Sequence, residues 1–151
     1  MMNNELKAFF AEFENNGRMP DKNTAKGADI APEIRLENLS ERAKTLAVIM
    51  HDLDVPFGVL CHWVVWNIPV GNVIPPVLPS GAVCGRAYGK NRYAGPNIPF
   101  FLRNTHRYVF TVYALDCELD LSGKAGEKQL LSAMQGHILQ KAEITGLYSN
   151  C

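Results

Sequence analysis

The sequence has no excess of charge of either sign, because its 15 basic residues are balanced by 15 acidic ones. A chain without net charge produces no long-range field that would draw it to nucleic acid or to an anionic membrane surface. Any preference for an anion must therefore come from a local arrangement of side chains. The chain has 151 residues, 47% of them hydrophobic, which predicts a single domain over residues 1–151 with a sizeable core.

Signals for secretion, membrane insertion and cysteine-based sites are also missing. No apolar run follows a basic stretch near the start, and the longest run without Asp, Glu, Lys or Arg, residues 55–85, is broken by prolines and glycines. The four cysteines contain no CxxC pair and no zinc-ligand spacing. Cys61 and Cys117 are expected to be buried thiols, although two disulfides stay compatible with the sequence. These features favour a cytoplasmic protein.

Three aliphatic and β-branched runs, at residues 44–51, 59–68 and 108–115, predict buried strands. Their connections are too short and irregular for crossover helices, so the sheet is expected to be antiparallel. Apolar residues recur at helical spacing in Leu6–Phe13 and again in Leu130–Leu139, which predicts a helix in each segment.

Between the second and third predicted strands lies a long stretch, residues 75–103, that is rich in proline and glycine. A loop of this length in a compact domain is usually functional or disordered. Its aromatic residues, among them Tyr88 and Tyr93, argue against disorder. The stretch is therefore a candidate for the wall of a pocket.

Acidic and histidine side chains accompany all three predicted strands. Asp52 and Asp54 follow the first strand and are expected on one side of it, His62 lies within the second, and His106 opens the third. An aspartate beside a histidine fixes the tautomer of the ring and favours the imidazolium. Two such histidines could donate N–H bonds to an anion while the carboxylates orient them.

Each of these residues alone has a simpler interpretation. His62 on an apolar strand is more often a histidine whose hydrogen bonds are satisfied within the core, and the aspartate pair could cap its own turn. His51 is expected to have no role in a site, and His137 to pack or to face solvent. The order of the motifs along the chain is what favours a site.

That order resembles the phosphatidylethanolamine-binding protein family, in particular its short bacterial and archaeal branch, which is described as Raf kinase inhibitor-like. The resemblance covers nearly the whole chain. It rests on residues 52–56, 62–69, 93–96 and 106–116, with weaker matches at 16–20, 27–32, 134–139 and 146–148.

The resemblance implies a mainly β fold, in which an antiparallel Greek-key sheet packs on a smaller sheet, with a C-terminal helix. It also implies an extended first segment, so residues 4–14 are left open between helix and strand. The family has a surface cavity for phosphate or phosphate-ester head groups. Carried over residue by residue, the ligand-binding set is Asp52, Asp54, His62, Gly95, Pro96, His106 and Tyr108, with backbone N–H groups near Gly95 contributing.

The chain departs from the family pattern between Asn97 and Thr105. Ile98 replaces a proline, a glycine is missing, and the segment is longer by about three residues, which could reshape the rim of the pocket. Phe100, Phe101 and Leu102 add an apolar patch there that could pack on a partner subunit, cover the cavity or meet an acyl or aromatic group. Arg103 could instead add an anion contact.

The function expected from these features is non-enzymatic binding of a small anionic ligand, without a cofactor, without nucleic acid and without insertion into a membrane. One alternative is an interaction protein that regulates a kinase or a protease. A less favoured one is an acid–base enzyme or a metal-dependent enzyme that uses Asp52, Asp54, His62 and His106. No activated nucleophile is evident. The resemblance also implies a homodimer.

Overall fold

A computed structural model describes residues 5–150 of the chain. Over that range the chain forms nine strands, one α-helix and a short 3-10 turn. Their bounds are β1 (Lys7–Phe10), β2 (Gly17–Arg18), the 3-10 turn (Asp21–Asn23), β3 (Ile34–Glu37), β4 (Thr45–Val55), β5 (Gly58–Pro69), β6 (Val73–Ile74), β7 (Val83–Cys84), β8 (His106–Leu115), α1 (Glu127–Met134) and β9 (Ile138–Tyr148).

The strands form two sheets. The larger sheet has the order β2-β9-β8-β4-β5-β7, and the smaller one has the order β1-β3-β6. Neighbouring strands are antiparallel except for the short β2–β9 pair. This architecture confirms the predicted mainly β, antiparallel fold with a smaller second sheet. Strand β4 runs on to Val55, so Asp52 and Asp54 lie within the strand. The sequence had suggested that both residues follow the strand.

Both faces of the larger sheet are covered, which explains why its central strands read as continuous apolar runs. On one face Val48 and Phe110 pack against the smaller sheet through Ile34. On the other face Ile49 joins a second core, which includes Leu130 of α1. Asp52 and His106 therefore sit in strands that are fixed from both sides.

The helix predicted for Leu6–Phe13 is wrong, and the extended conformation that the resemblance implied is correct. Strand β1 pairs with β3, and Leu6 and Phe10 are buried. A spacing of four residues returns to the same face in a strand as well as in a helix, so the apolar pattern did not discriminate between them. Residue 4, the first of the open range, lies outside the described residues.

The late helix is shorter than its apolar pattern indicated. α1 ends at Met134, and Ile138 and Leu139 belong to the final strand β9. Gly136, which lies between these two elements, has a φ of 84°. This left-handed conformation is typical of the residue that follows a helix, so Gly136 ends the helix.

The described cysteines Cys61, Cys84 and Cys117 are free thiols of intermediate burial. Cys61 and Cys117, expected to be buried, are thus only partly buried, and Cys151 lies outside the described residues. Within residues 5–150, no helix has the length and apolar character needed to cross a membrane.

Substituting Gly136→Ala is expected to lower the free energy of unfolding by about 1 kcal/mol, because the left-handed backbone conformation is less favourable for alanine than for glycine. Urea denaturation measures this change. Gly71→Ala is the matched control, since a Cβ at either position meets no atom within 4 Å and only Gly136 has a positive φ. Equal effects of the two substitutions would contradict the role given to Gly136.

Candidate functional site

A buried hydrogen bond between Asp52 and His106 forms the centre of the site. Oδ2 of Asp52 lies 2.7 Å from Nδ1 of His106, and both side chains are at most 4% exposed. Oδ1 of Asp52 accepts the backbone N–H of Asp54 at 2.8 Å. Tyr108, directly opposite Asp52 in the β4–β8 register, interacts with the same carboxylate through its hydroxyl. Burial, reinforced by the Asp52 charge, raises the pKa of Tyr108, so the phenol stays protonated and can donate.

The second ring nitrogen of His106 is the exceptional atom in this arrangement. Nε2 is buried and has no hydrogen-bond partner among the described residues. This nitrogen carries an N–H in an imidazolium and a lone pair in a neutral ring whose proton is on Nδ1. Buried polar atoms without a partner are rare in native proteins, and each calls for an explanation. A ligand atom that forms a hydrogen bond with Nε2 would supply one.

His62 reaches the site because of a β-bulge in β5. Met50 pairs with Trp63 and His51 pairs with Cys61, which leaves His62 as an extra residue without a partner on β4. Its Nδ1 lies 2.7 Å from the carbonyl oxygen of Ala94, to which it donates. Its ring meets the ring of Tyr108 edge to face, with 5.5 Å between centroids.

The two histidines differ in their electrostatic environment. Burial lowers the pKa of His62, and this effect outweighs the hydrogen bond to Ala94 and the Asp52 charge, both of which raise it. His62 is therefore uncharged at neutral pH, with its proton on Nδ1 and a lone pair on Nε2. The expectation of two imidazolium groups is wrong for His62.

Asp54 has a different partner from the one predicted. Its carboxylate accepts Nε and Nη2 of Arg107, each at 2.9 Å, and also the backbone N–H of Arg107 at 2.8 Å. The hydrogen bond from Arg107 is the main cause that lowers the pKa of Asp54. A second bulge, in which Leu53 and Asp54 oppose the single residue Val59, accompanies this arrangement. Asp54 thus fixes the start of β8 and orients no histidine, contrary to the prediction.

Gly95 and Pro96 border the site without offering it a free donor. The N–H of Gly95 donates to Oδ1 of Asp29 at 2.7 Å, and proline has no N–H. A Cβ at Gly95 would lie 2.0 Å from the carbonyl oxygen of Asn23, so glycine is required here by close packing. Of the backbone N–H groups expected to contribute near Gly95, that of Gly95 itself is therefore already engaged. The contact with the site comes instead from the preceding residue, Ala94, whose carbonyl oxygen accepts a hydrogen bond from His62.

Tyr88, on the long loop, covers His62. The two rings stack with 4.4 Å between centroids and 25° between planes. Tyr88 adopts a φ of 54°, a conformation that a bulky residue takes only where the surroundings impose it. His62 and His106 are each 2% exposed. Both histidine rings are therefore shielded from solvent, and Tyr88 of the long loop covers one of them.

Three residues that contribute to this geometry were absent from the predicted set: Tyr88, Asp29 and Arg107. Each lay in a segment that the sequence singled out. Tyr88 is an aromatic residue of the loop, Asp29 belongs to the 27–32 match, and Arg107 follows His106 directly. Their partners lie at least 26 residues away in the chain, which is why local patterns did not assign them.

The altered segment Asn97–Thr105 is tied to the C-terminus of the described chain. The side-chain amide of Asn150 donates to the carbonyl oxygens of Ile98 and Pro99 at 2.9 and 2.8 Å. Phe100 and Phe101 are 85% and 67% exposed, and their rings meet edge to face. The apolar patch expected from the sequence therefore lies at the surface.

The four polar residues Asp52, Asp54, His62 and His106 do not converge as metal ligands would. Asp54 is engaged by Arg107, and Nδ1 of His62 donates to a carbonyl oxygen. In the described part of the chain, the groups that lie close enough together to hold an ion are found elsewhere.

Comparison with known proteins agrees with this architecture. The family model for phosphatidylethanolamine-binding protein matches residues 10–149. UPF0098 protein PH1269 of Pyrococcus horikoshii is 40% identical over 145 residues, which cover 90% of this chain and 73% of the relative. A UPF0098 protein of Archaeoglobus fulgidus is 42% identical over 145 residues. That match covers 91% of this chain but only 49% of the relative, so the chain spans about half of its length.

Two solved structures have the same fold. The phosphatidylethanolamine-binding protein homologue CT736 of Chlamydia trachomatis superposes with a TM-score of 0.89 at 31% identity, covering 99% of this chain and 100% of the other. YbcL of E. coli, described as a new member of the mammalian family, gives a TM-score of 0.85 at 23% identity and shows the fold alone, over 97% and 99% of the two chains. The chain belongs to the phosphatidylethanolamine-binding protein family.

We expect the imidazole of His62 to titrate below the ordinary histidine pKa of about 6.5, because burial opposes its charged form. The same shift should make the folded state lose stability as the pH falls from about 7 through that value, since the unfolded chain binds the proton first. NMR titration of the ring signals, with the urea-unfolded chain as reference, measures the pKa. A folded-state value at or above the unfolded one would contradict the assignment.

Proposed function

We propose that this protein binds a small anion, phosphate or the phosphate-ester head group of a larger molecule, and catalyses no reaction on it. One observation carries the proposal: Nε2 of His106 is buried without a partner among the described residues, while Nδ1 is held by Asp52. A charge-assisted N–H bond to a phosphate oxygen is roughly twice as strong as a neutral one. The description of the matching family as phosphatidylethanolamine-binding supports the same class of ligand.

His62 supplies the complementary contact in this proposal. Because its Nδ1–H is engaged by Ala94, its neutral ring has a lone pair on Nε2 that can accept a hydrogen bond. The rings of His62 and His106 both lie against Tyr108, with centroid separations of 5.5 and 6.2 Å. A ligand that accepts from His106 and donates to His62 would satisfy both nitrogens.

A catalytic role has less support than binding. A cysteine nucleophile needs a lowered thiol pKa, whereas burial raises the pKa of Cys61, Cys84 and Cys117. We therefore assign the ion pair a binding role.

Partner binding is the second candidate function, and the exposed pair Phe100 and Phe101 favours it. The segment that carries this pair, Asn97–Thr105, is flanked by two residues of the predicted site, Pro96 and His106. Ligand occupancy could thus be transmitted to a contact surface. We propose that the protein is cytoplasmic and that its main function is to bind an anion. Anion binding would in turn affect the formation of a homodimer or the contact with a kinase or protease.

His106→Gln should weaken the binding of inorganic phosphate by more than about tenfold, because glutamine replaces a charged donor with a neutral one. Asp52→Asn should weaken it similarly by removing the carboxylate that orients the ring. Isothermal titration calorimetry with phosphate and with phosphoethanolamine measures both effects.

His137→Gln is the matched control for His106→Gln. His137 is also paired with a carboxylate, since its Nδ1 lies 2.8 Å from Oδ1 of Asp116, but it is exposed. Near-ultraviolet circular dichroism should verify that each variant is folded. Wild-type affinity in a folded His106→Gln variant would overturn the proposed site.

Tyr88→Ala should speed the entry and exit of phosphate several-fold, because the stacked ring closes access to His62. NMR line-shape exchange measurements with phosphate report the rates. Phe100→Ala is the control, since this aromatic residue lies further along the same irregular region and its exposed ring contacts Phe101. Unchanged rates in Tyr88→Ala would mean that the anion reaches His106 by another route.

A further inference from the structure

Three side chains with metal-binding groups converge away from the anion site. They are His51 of β4, Cys61 of β5 and Glu127, the first residue of α1. One ligand atom from each lies within 4.8 Å of the other two. Nε2 of His51 is 2.5 Å from Oε2 of Glu127.

The fold holds this cluster rigidly. His51 and Cys61 are paired directly across the β4–β5 ladder, which brings their side chains onto one face at close distance. Glu127 lies at the start of α1, and Leu130 and Met134 of the same helix are buried in the core on that face of the sheet. The three ligands thus come from three elements that pack on one another, and none comes from a mobile loop.

The donor set has the chemistry of a transition-metal site. Imidazole nitrogen, thiolate sulfur and carboxylate oxygen together suit Zn²⁺, which takes three protein ligands and keeps one position for water in open sites. Zinc–ligand lengths of about 2.0–2.3 Å place the ligand atoms of a tetrahedron roughly 3.3–3.8 Å apart. The distance between His51 and Glu127 reaches this range if the Glu127 carboxylate, whose side chain is 31% exposed, moves about 1 Å away from His51.

A second cluster, Asp116, Cys117 and His137, also meets the distance criterion. Two of its members are neighbours in the chain, and His137 is exposed. The first cluster is better shielded, because all three of its residues are of intermediate burial. Shielding from water strengthens the attraction between a cation and anionic ligands.

We propose that His51, Cys61 and Glu127 form a binding site for a divalent transition-metal ion of the zinc class. The site lies on the opposite face of β4 from Asp52, so it is separate from the anion site. It would fasten the start of α1 to the central sheet.

Cobalt provides a direct test, because Co²⁺ bound to a thiolate has a charge-transfer absorption in the near ultraviolet. Metal-free, reduced protein titrated with Co²⁺ should develop this band with about one ion per chain, and Zn²⁺ should abolish it by displacement. Cys61→Ser should lose the band, whereas Cys84→Ser and Cys117→Ser, which remove the other described thiols of intermediate burial, should keep it. His51→Gln and Glu127→Gln should weaken Co²⁺ binding by more than about tenfold.

Thermal denaturation is the second measurement, and it also shows whether a variant that lacks the band is still folded. Zn²⁺ should raise the Tm of the wild type and of Cys84→Ser but not that of Cys61→Ser, since an ion that binds only the folded state stabilises it. The absence of a thiolate band in the wild type would overturn the proposal. So would a band that survives in Cys61→Ser and disappears in Cys117→Ser, which would place the ion at the second cluster. His106→Gln should retain the band, so failure of the anion site and failure of the metal site are distinguishable.

Discussion

The buried contact between Asp52 and His106 is the interaction on which the arrangement of the site depends. Burying polar and charged groups costs free energy unless their hydrogen bonds are satisfied. Asp52 has these partners in the N–H of Asp54 and the hydroxyl of Tyr108. The contact between Asp54 and Arg107 keeps the start of β8 in place. The neighbouring contacts can therefore be understood as support for one desolvated pair.

The bulge at His62 lets two consecutive residues of β5, Cys61 and His62, contribute to different clusters. In a regular strand, successive side chains point to opposite faces of the sheet. The extra residue places His62 beside Tyr108 and keeps Cys61 opposite His51. A single irregularity in pairing thus accounts for both polar clusters, one on either face of the sheet. Bulges are over-represented beside functional sites for this reason.

The sequence predicted those features that local patterns determine. The strands that carry Asp52, His62 and His106 were identified because two-sided burial makes them continuous apolar runs. The first segment was ambiguous because its spacing fits a strand and a helix equally. The bulges, the Asp29–Gly95 bond and the Tyr88 stack depend on which residues meet across the sheet or between loops. No local pattern contains that information, so the sequence predicted the strands that carry these residues but not several of the partners that the structure gives them.

In the proposed site, the asymmetry between the two histidines would restrict the ligand more than their shared location does. An imidazolium at His106 would offer a donor, whereas uncharged His62 offers an acceptor, because burial lowers its pKa and its proton is engaged by Ala94. An anion that has lost all its protons would then pair with His106 and have no donor for the acceptor of His62. A phosphate or phosphate ester that retains one proton, or a head group with its own N–H donor, satisfies both. Sulfate has neither. Discrimination between tetrahedral anions of similar size would then arise from hydrogen-bond complementarity and not from charge.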